Sequence, residues 1–285
     1  MSSPSREELA FGLGTVVHHD PSALPIESPR PYVHPLRTPA GTVVSDFRPA
    51  DHTWHWGLSV TVANIRIGDA AHDVNLWGGV TWVDGRGYVQ LDNNGTQTVD
   101  ETQTVDGTQL TWREADGSAF LREERMLDAS IRDDDGRSLG VLDVSSRWTN
   151  LRDVELAFGS PTTAGRPDAG YGGLFLRLHP SFSGARPLSP LLPANPEATL
   201  HGAEAAWLGL ESGPATVVMG PHPENPVSPT PWFVRNDTTP MLCAAPFFHE
   251  EWRLGPGESA TWRWRILLSD SPLNAERITH LLDEA

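Results

Sequence analysis

Hydrophobic and polar residues alternate along much of the chain in short stretches with a period of two. Successive side chains of an extended strand point to opposite faces, so this pattern predicts strands with one buried face. The alternation is clearest in residues 56–67, 110–112, 120–127, 138–150, 154–158, 173–178, 215–219 and 259–268. Only residues 274–284 show a helical pattern, which starts near Asn274 and places Ile278, Leu281 and Leu282 on one face.

The turn-forming residues are spread along the whole chain. The 26 glycines and 25 prolines separate the alternating stretches, as expected when many short strands are joined by turns. The prediction is an all-β fold, a large two-sheet antiparallel β-sandwich with a short C-terminal helix. One domain over residues 1–285 suits this length, with residues 1–25 as a candidate N-terminal extension and the Pro-rich residues 181–201 as a surface excursion.

Charge and composition exclude several classes of function. The chain has a formal net charge of −16, which disfavours binding to nucleic acid or to an anionic membrane surface. All basic residues are arginine, which rules out lysine Schiff-base chemistry and the lysine of a phosphate-binding loop. The single cysteine, Cys243, excludes an intramolecular disulfide and thiolate-rich metal sites. No membrane helix and no apolar signal core are visible, so the predicted location is the cytoplasm.

The densest group of chemically active side chains lies at the start of the first predicted strand. Alternation places Trp56 with Leu58 on the core face and His55 on a polar face. A turn over residues 50–53 would bring His52 next to His55. This group predicts a functional site, and its members are Arg48, Asp51, His52, Trp54 and His55.

Three further segments carry candidate site residues. Glu123 and Arg125 share one face of a predicted strand, where they form either an exposed charge ladder or part of the site. Tyr171 precedes paired glycines that permit close backbone approach. A Pro-rich loop over residues 220–236 contains His222, Trp232 and Arg235. Trp54, Trp77 and Trp232 lie beside these polar motifs, and flat aromatic faces suit the C–H surfaces of sugars.

Taken together, these segments resemble a bacterial family usually labelled PmoA-like. The matching segments are residues 30–41 with His34, residues 49–57, Glu123 with Arg125, residues 171–173, and residues 222–232. The family name comes from a methane monooxygenase subunit, and methane oxidation is not expected here. The resemblance implies a sandwich similar to the galactose-mutarotase-like supersandwich, a role in sugar catabolism, and a ligand on the concave face of one sheet.

The leading functional prediction is a carbohydrate-active enzyme that acts by proton transfer through elimination, hydrolysis or epimerisation. His55 is the expected base, with His52 or His222 as its acid partner and Glu123 as a rival base. Asp51 would orient an imidazole, and Arg48 or Arg125 would stabilise a developing oxyanion. The expected substrate contacts are His34, Arg48, Asp51, Trp54, Trp77, Arg125, Tyr171, Trp232 and Arg235.

Two alternatives stay open at this point. No resident cofactor is predicted, but a divalent metal held by His34, His52, His55 or His222 and a carboxylate would also suit these residue types. The other alternative is a non-catalytic carbohydrate-binding or scaffolding protein. The expected partner is a small-molecule carbohydrate, with a homo-oligomer left open.

Overall fold

The computed structural model describes residues 5–69, 73–83, 85–89, 100–104, 107–192, 194–195, 199–213 and 215–283. Strands dominate these residues. In chain order they are β1 (Ser5–Glu8), β2 (Gly14–His19), β3 (Tyr32–Leu36), β4 (Leu58–Val62), β5 (Asn64–Ile67), β6 (Asp73–Val74), β7 (Thr81–Val83), β8 (Gly87–Val89), β9 (Asp100–Thr104), β10 (Gly107–Arg113), β11 (Ala119–Asp134), β12 (Arg137–Asn150), β13 (Leu156–Gly159), β14 (Gly172–Arg177), β15 (Arg186–Leu188), β16 (Glu204–Ala205), β17 (Leu208–Ser212), β18 (Ala215–Pro221), β19 (Thr230–Arg235), β20 (Met241–Ala244), β21 (Trp252–Leu254) and β22 (Ser259–Ser269). The helices are three 3-10 turns, Ala10–Gly12, Pro25–Glu27 and Pro180–Phe182, and the α-helix α1, Ala275–Asp283.

Two large antiparallel sheets form the sandwich. The first sheet has the order β1-β2-β3-β4-β14-β20-β19-β16, and the second has the order β15-β17-β18-β22-β12-β11-β10-β9. A four-stranded sheet, β21-β13-β5-β6, and the β7-β8 hairpin complete the strands of the described residues. The predicted fold class, a two-sheet antiparallel sandwich with a short C-terminal helix, is therefore confirmed.

The main core lies between the two large sheets. Leu58, Val60 and Leu174 from the first sheet and Val144 and Trp262 from the second belong to one buried apolar cluster. Burial of this apolar surface, at roughly 25 cal/mol per Å², is the main force that holds the sheets together. The face of the first sheet that points away from this core is called the outer face below, and it carries a separate cluster that includes Phe175, Phe233 and Cys243.

The long central strands follow the predicted alternation closely. The predicted strands 138–150 and 259–268 correspond to β12 and β22, which pair residue by residue from Leu139 with Ser269 to Thr149 with Ser259. The predicted strand 120–127 is the first part of β11, which continues to Asp134. These strands were predictable because one face of each is buried against the opposite sheet.

The predicted strand over residues 56–67 is wrong in two respects. It is divided into β4 and β5, which belong to different sheets. In addition, Gly57 has a φ of 42°, which interrupts the extended backbone ahead of Leu58. Trp56 consequently packs against Tyr32 and Phe47 and not in the main core with Leu58.

The C-terminal helix packs on the second sheet. The Asn274 side chain accepts a hydrogen bond from the backbone N–H of Arg277 at 2.8 Å and so caps the helix start. Ile278 and Leu281 are buried in a cluster with Val218 and Leu267, in agreement with the predicted apolar face. The last predicted helical residue, Glu284, lies outside the described residues. No helix in the described part of the chain has the length and apolarity needed to cross a membrane.

Two segments of the predicted organisation need correction. Residues 5–19 are not an appended extension, because β1 and β2 are strands of the first sheet and Val16 lies in the main core. The Pro-rich segment 181–201 contains the strand β15, which pairs with β17 in the second sheet. Residues 1–4, 193 and 196–198 of these two segments lie outside the described residues.

Candidate functional site

The two motif histidines meet on the outer face of the first sheet. Backbone hydrogen bonds from His52 N–H to the Pro49 carbonyl and from His55 N–H to the His52 carbonyl form two consecutive turns. These turns fold the chain back, so the two imidazole rings stack with their centroids 4.6 Å apart and their planes 21° apart. The predicted turn over residues 50–53 therefore does bring the histidines together. His52 Nδ1 also lies 2.7 Å from Asp51 Oδ2.

His55 is the buried member of this pair. Its side chain is covered, and Nδ1 has no hydrogen-bond partner among the described residues. Burial lowers the pKa of His55 well below its ordinary value, and the nearby charges of His52, Arg177 and Arg30 lower it further. The imidazole is therefore neutral at pH 7, the form that can accept a proton.

Arg177 lies beside this pair, at the end of β14. Only 3% of the residue is exposed, yet Nε and Nη1 have no hydrogen-bond partner in the described structure. The nearest carboxylate oxygen, Asp46 Oδ2, is 3.9 Å from Nε, which is too long for a hydrogen bond. Leaving a buried donor unsatisfied costs about 1–3 kcal/mol, and more for a charged group, so this arrangement needs a reason. Burial lowers the pKa of Arg177, while Asp51 and Asp46 oppose that shift.

Arg177 was not among the predicted site residues, although the sequence contains a signal for it. The core face of β14 carries Leu174 and Leu176, so alternation sends Phe175 and Arg177 to the other face. That face is the one on which His55 lies, because the His55 and Phe175 rings are 5.0 Å apart.

Aromatic rings surround the histidines on the outer face. Trp77 lies edge-on to His55 with centroids 5.6 Å apart, and its ring is 4.5 Å from that of Tyr171. Tyr171 in turn meets Phe233 edge-on at 5.4 Å, and the Arg235 guanidinium lies over Phe233 at 5.5 Å. The predicted substrate contacts Trp77, Tyr171 and Arg235 therefore belong to the same outer-face group as His55.

A buried arginine that the sequence did not single out for the site holds two of the loops in place. Arg30 donates hydrogen bonds to the backbone carbonyls of Trp54 and Trp77 and to Ser59 Oγ. It also donates to the carbonyls of Glu27 and Ser28. Arg30 thus joins the segment that carries His55 to the segment that carries Trp77. Sequence could not reveal this, because the acceptors are main-chain atoms up to 47 residues away.

Paired glycines create the space in which Trp54 lies. Gly79 has a φ of 63°, and a Cβ at this position would come within 2.5 Å of the Trp54 indole. Gly78 has a φ of 97°, and its Cβ would lie 2.7 Å from that of Trp54. Trp54 in turn meets the His52 ring edge-on at 5.3 Å. The small residues at 78 and 79 therefore let Trp54 lie against the histidine pair.

Glu123 and Arg125 share one face as predicted, but they do not join this group, and because both are buried they do not form the exposed charge ladder either. Arg125 contacts Glu123 through Nε and Nη2 at 2.7 and 3.0 Å and donates to the Pro31 carbonyl. Ser146 Oγ and Trp112 Nε1 also donate to the Glu123 carboxylate. Arg125 borders a cavity of about 240 Å³ that is also lined by core residues of both sheets. The pair therefore faces the interior of the sandwich, where its charges and hydrogen bonds are satisfied within the protein.

Two residues of the predicted loop 220–236 also lie elsewhere. His222 follows β18 in the second sheet and lines a cavity of about 290 Å³ with Asp143 and Arg263. Trp232 is fully buried in the main core, and its indole N–H donates to the Ala205 carbonyl. Neither side chain meets His55. His222 lies on the second sheet, and alternation along β19 sends Trp232 to the core face and Phe233 to the outer face.

His34 and Arg48 lie at the border of the outer-face group. His34 Nδ1 is 2.8 Å from Ser45 Oγ, and its ring stacks on Phe47 at 5.6 Å. Burial lowers the pKa of His34, and Asp46 opposes that shift. Arg48 contacts both carboxylate oxygens of the fully buried Glu27, at 2.8 and 2.6 Å. Arg48 is therefore already paired and supports the loop.

The donor set of the metal alternative is not assembled in the described residues. They contain no group of three or more His, Cys, Asp or Glu side chains arranged to hold a metal ion. His222 lies on the second sheet, away from His52 and His55. Cys243 is fully buried, and burial raises the pKa of its thiol to about 12, so it is not a thiolate at neutral pH.

Comparison with known proteins gives a family without an assigned activity. The model of a family of unknown function, DUF6807, matches residues 14–283. No curated protein matches the chain. Among solved structures, a polysaccharide lyase shares 12% identity at a TM-score of 0.38, over 79% of this chain and 28% of that chain. A Glycoside Hydrolase Family 97 enzyme from Pseudoalteromonas sp. strain K8, in complex with acarbose, shares 7% identity at a TM-score of 0.39, over 94% of this chain and 36% of that chain.

These matches correct the family predicted from sequence motifs. The chain spans about a third of the length of the solved chains, and the TM-scores are too low to carry an argument about activity. The predicted PmoA-like assignment is wrong, because the family model that matches is a different one. The match covers nearly the whole chain, and the protein therefore belongs to DUF6807, a family of unknown function.

Proposed function

We propose that this protein is a carbohydrate-active enzyme that moves a proton to or from a sugar, with His55 as the base and His52 as its acid partner. The observation that carries the proposal is the stacked pair, in which the buried His55 has an unpartnered Nδ1. A buried polar atom without a partner is costly, and an active site is one place where such a cost is retained.

The electrostatics of the pair support a division of roles. Burial and neighbouring positive charges lower the pKa of His55, which keeps this imidazole in the neutral form that a general base needs, although the same shift weakens it as a base. His52 is half-buried and contacts the Asp51 carboxylate, so in its protonated form it can return a proton from the solvent side. Positioned proton transfer of this kind supplies roughly 10²- to 10⁴-fold of rate.

The surroundings of the pair support a sugar as the substrate. Trp54 and Tyr171 are partly exposed and offer aromatic surface, which suits the C–H surface of a pyranose ring, while the buried Trp77 packs against Tyr171. Arg177 and Asp51 provide a donor and an acceptor for hydroxyl groups within the same group of side chains. Apolar rings with a few convergent polar groups are the usual composition of a small-molecule site.

The test is a substrate panel in deuterated buffer followed by NMR. Methyl glycosides, 3-keto-glycosides and uronic-acid oligosaccharides are each incubated with the wild-type protein and with His55→Gln. The expected result is exchange of a sugar C–H proton, or a new product, with wild type only. Saturable binding without any reaction by wild type would contradict the enzyme and favour a binding protein. Wild type and His55→Gln are first compared in thermal unfolding, so that a lost reaction is not mistaken for a lost fold.

A further inference from the structure

We propose that the substrate of this site carries a carboxylate group and that Arg177 binds it. This inference rests on the proposed function, because it concerns the same outer-face group. It narrows the substrate from sugars in general to acidic sugars such as uronates.

Arg177 differs from the other buried arginines of the described residues. Arg30 donates to five protein acceptors, Arg125 is paired with Glu123, and Arg265 contacts both carboxylate oxygens of Asp143 at 2.7 and 2.8 Å. Arg177 is as buried as these three, but its Nε and Nη1 have no acceptor in the described structure. The other three therefore serve the fold, whereas Arg177 retains binding capacity for an oxygen-rich ligand.

The site of Arg177 is next to the reactive pair and near the surface. Backbone hydrogen bonds connect Arg177 N–H to the Gly57 carbonyl and Asp46 N–H to the Arg177 carbonyl, which fixes β14 against the histidine segment. Asp51 and Asp237, whose negative charges act on the Arg177 guanidinium, are exposed. Arg177 and His55 are each 3% exposed, so a ligand that enters between Asp51 and Asp237 contacts both only after the side chains that cover them move aside.

Among anionic groups, the charge of the surroundings favours a monoanion over a dianion. Asp46 lies 3.9 Å from the guanidinium, and Asp51 and Asp237 add further negative charge nearby. These acids would repel a phosphate dianion more strongly than a singly charged carboxylate. A planar carboxylate also matches the geometry of a guanidinium donor.

A carboxylate on Arg177 defines the chemistry for His55. His55 takes the proton from the carbon next to the carboxylate, and the C–H electron pair moves into the carboxylate as an enediolate. Arg177 balances the added negative charge. The electron pair then either forms a carbon–carbon double bond as the oxygen substituent on the next carbon leaves with a proton from His52, or it takes a proton from a water molecule on the opposite face while His55 releases its proton to solvent. These outcomes are an elimination and an epimerisation, and neither needs an oxidant or a reductant.

The experiment compares matched acidic and neutral ligands. Trigalacturonate and its carboxyl-reduced neutral counterpart are titrated by calorimetry, and both are incubated in deuterated buffer for NMR. The same is done with a glucuronate oligosaccharide and its reduced form. Wild type is expected to bind and transform only the acidic member of a pair, with deuterium at the carbon next to the carboxylate or an unsaturated uronate product.

Variants test the residue itself. Arg177→Gln is expected to weaken binding of the acidic ligand by roughly 10- to 100-fold, the range for losing a charged hydrogen bond. Arg177→Lys should restore part of this affinity and serves if the Gln variant folds poorly. The matched control is Arg265→Lys, a buried arginine of the second sheet, which should bind as wild type does.

The outcomes separate this inference from the proposed function. Wild-type affinity of Arg177→Gln for the acidic ligand, or equal use of the neutral ligand, would overturn the carboxylate proposal. A reaction confined to neutral or keto sugars that still depends on His55 would overturn it too, while leaving the proposed function intact. Arg177-dependent binding of the acidic ligand without any reaction would support the carboxylate and contradict the enzyme.

Discussion

At the scale of single residues, the molecule concentrates its unsatisfied polar atoms around one point. His55 Nδ1 and the Nε and Nη1 atoms of Arg177 account for three of the five buried side-chain atoms without a partner in the described residues. Both side chains lie on the outer face of the first sheet. By contrast, the buried Glu123, Arg125 and Arg30 have hydrogen-bond partners within the protein.

The lowered pKa of His55 predicts a dependence of stability on pH. Below its ordinary value of 6.5 the unfolded chain takes up a proton that the folded state does not, so the free energy of unfolding should fall as the pH decreases from about 7 toward 5. His55→Gln should reduce this slope. Urea unfolding at several pH values measures it, with His222→Gln as the control that keeps the buried His55. Equal slopes in wild type and His55→Gln would contradict the burial of His55.

At the scale of elements, turns and a glycine with positive φ position the candidate site. Two consecutive turns place His52 over His55, and Gly57 then interrupts the extended chain ahead of β4. The loop that carries Trp77 is bound to the loop that carries Trp54 through Arg30. The site is therefore held by hydrogen bonds between loops, on a sheet that supplies Phe175 and Arg177 from β14.

Gly79→Ala tests how closely these loops fit. The new Cβ would lie within 2.5 Å of the Trp54 indole, so the ring must move, and overpacking of this kind costs about 1–3 kcal/mol. We expect lower thermal stability and a changed tryptophan fluorescence spectrum. Gly85→Ala is the matched control, since Gly85 has a similar φ of 69° but no atom within 4 Å of its added Cβ. An equal effect of both substitutions would show that backbone strain alone is responsible.

Alternation predicted the elements best where one face packs on a large core. It placed β12 and β22 almost residue by residue, and it predicted that Leu174 and Leu176 are buried. It could not show which way Glu123 points, because an internal charge pair has the same sequence pattern as an exposed ladder. Its partners Trp112 and Ser146 lie 11 and 23 residues away, on neighbouring strands. The role of Arg30 was hidden for the same reason, since its acceptors are backbone carbonyls of distant loops.

At the scale of the whole molecule, interior and outer face serve different purposes. The space between the sheets contains the main core and the Glu123–Arg125 pair, whereas the histidine pair lies on the opposite side of the first sheet. One apolar cluster draws residues from both sheets and from N- and C-terminal strands, and we propose on this basis that the chain forms a single domain.

Glu123→Gln tests the structural role of the interior pair. Removing one charge of a buried pair leaves the other uncompensated, and we expect a loss of about 3–5 kcal/mol in the free energy of unfolding. Glu124→Gln, at the next and more exposed position, should cost less than about 1 kcal/mol. Denaturant unfolding gives both values. A stable Glu123→Gln variant that has lost sugar turnover would instead indicate that Glu123 belongs to the functional site.

The most direct test of a site on the outer face compares two histidines on opposite sheets. With the first sugar that the protein transforms, the turnover rate is measured by NMR for wild type, His55→Gln and His222→Gln, each confirmed to be folded. If His55 is the base, His55→Gln loses at least 10²-fold in rate, while His222→Gln stays close to wild type. Full activity of His55→Gln together with loss of activity in His222→Gln would contradict the placement of the site on the outer face of the first sheet.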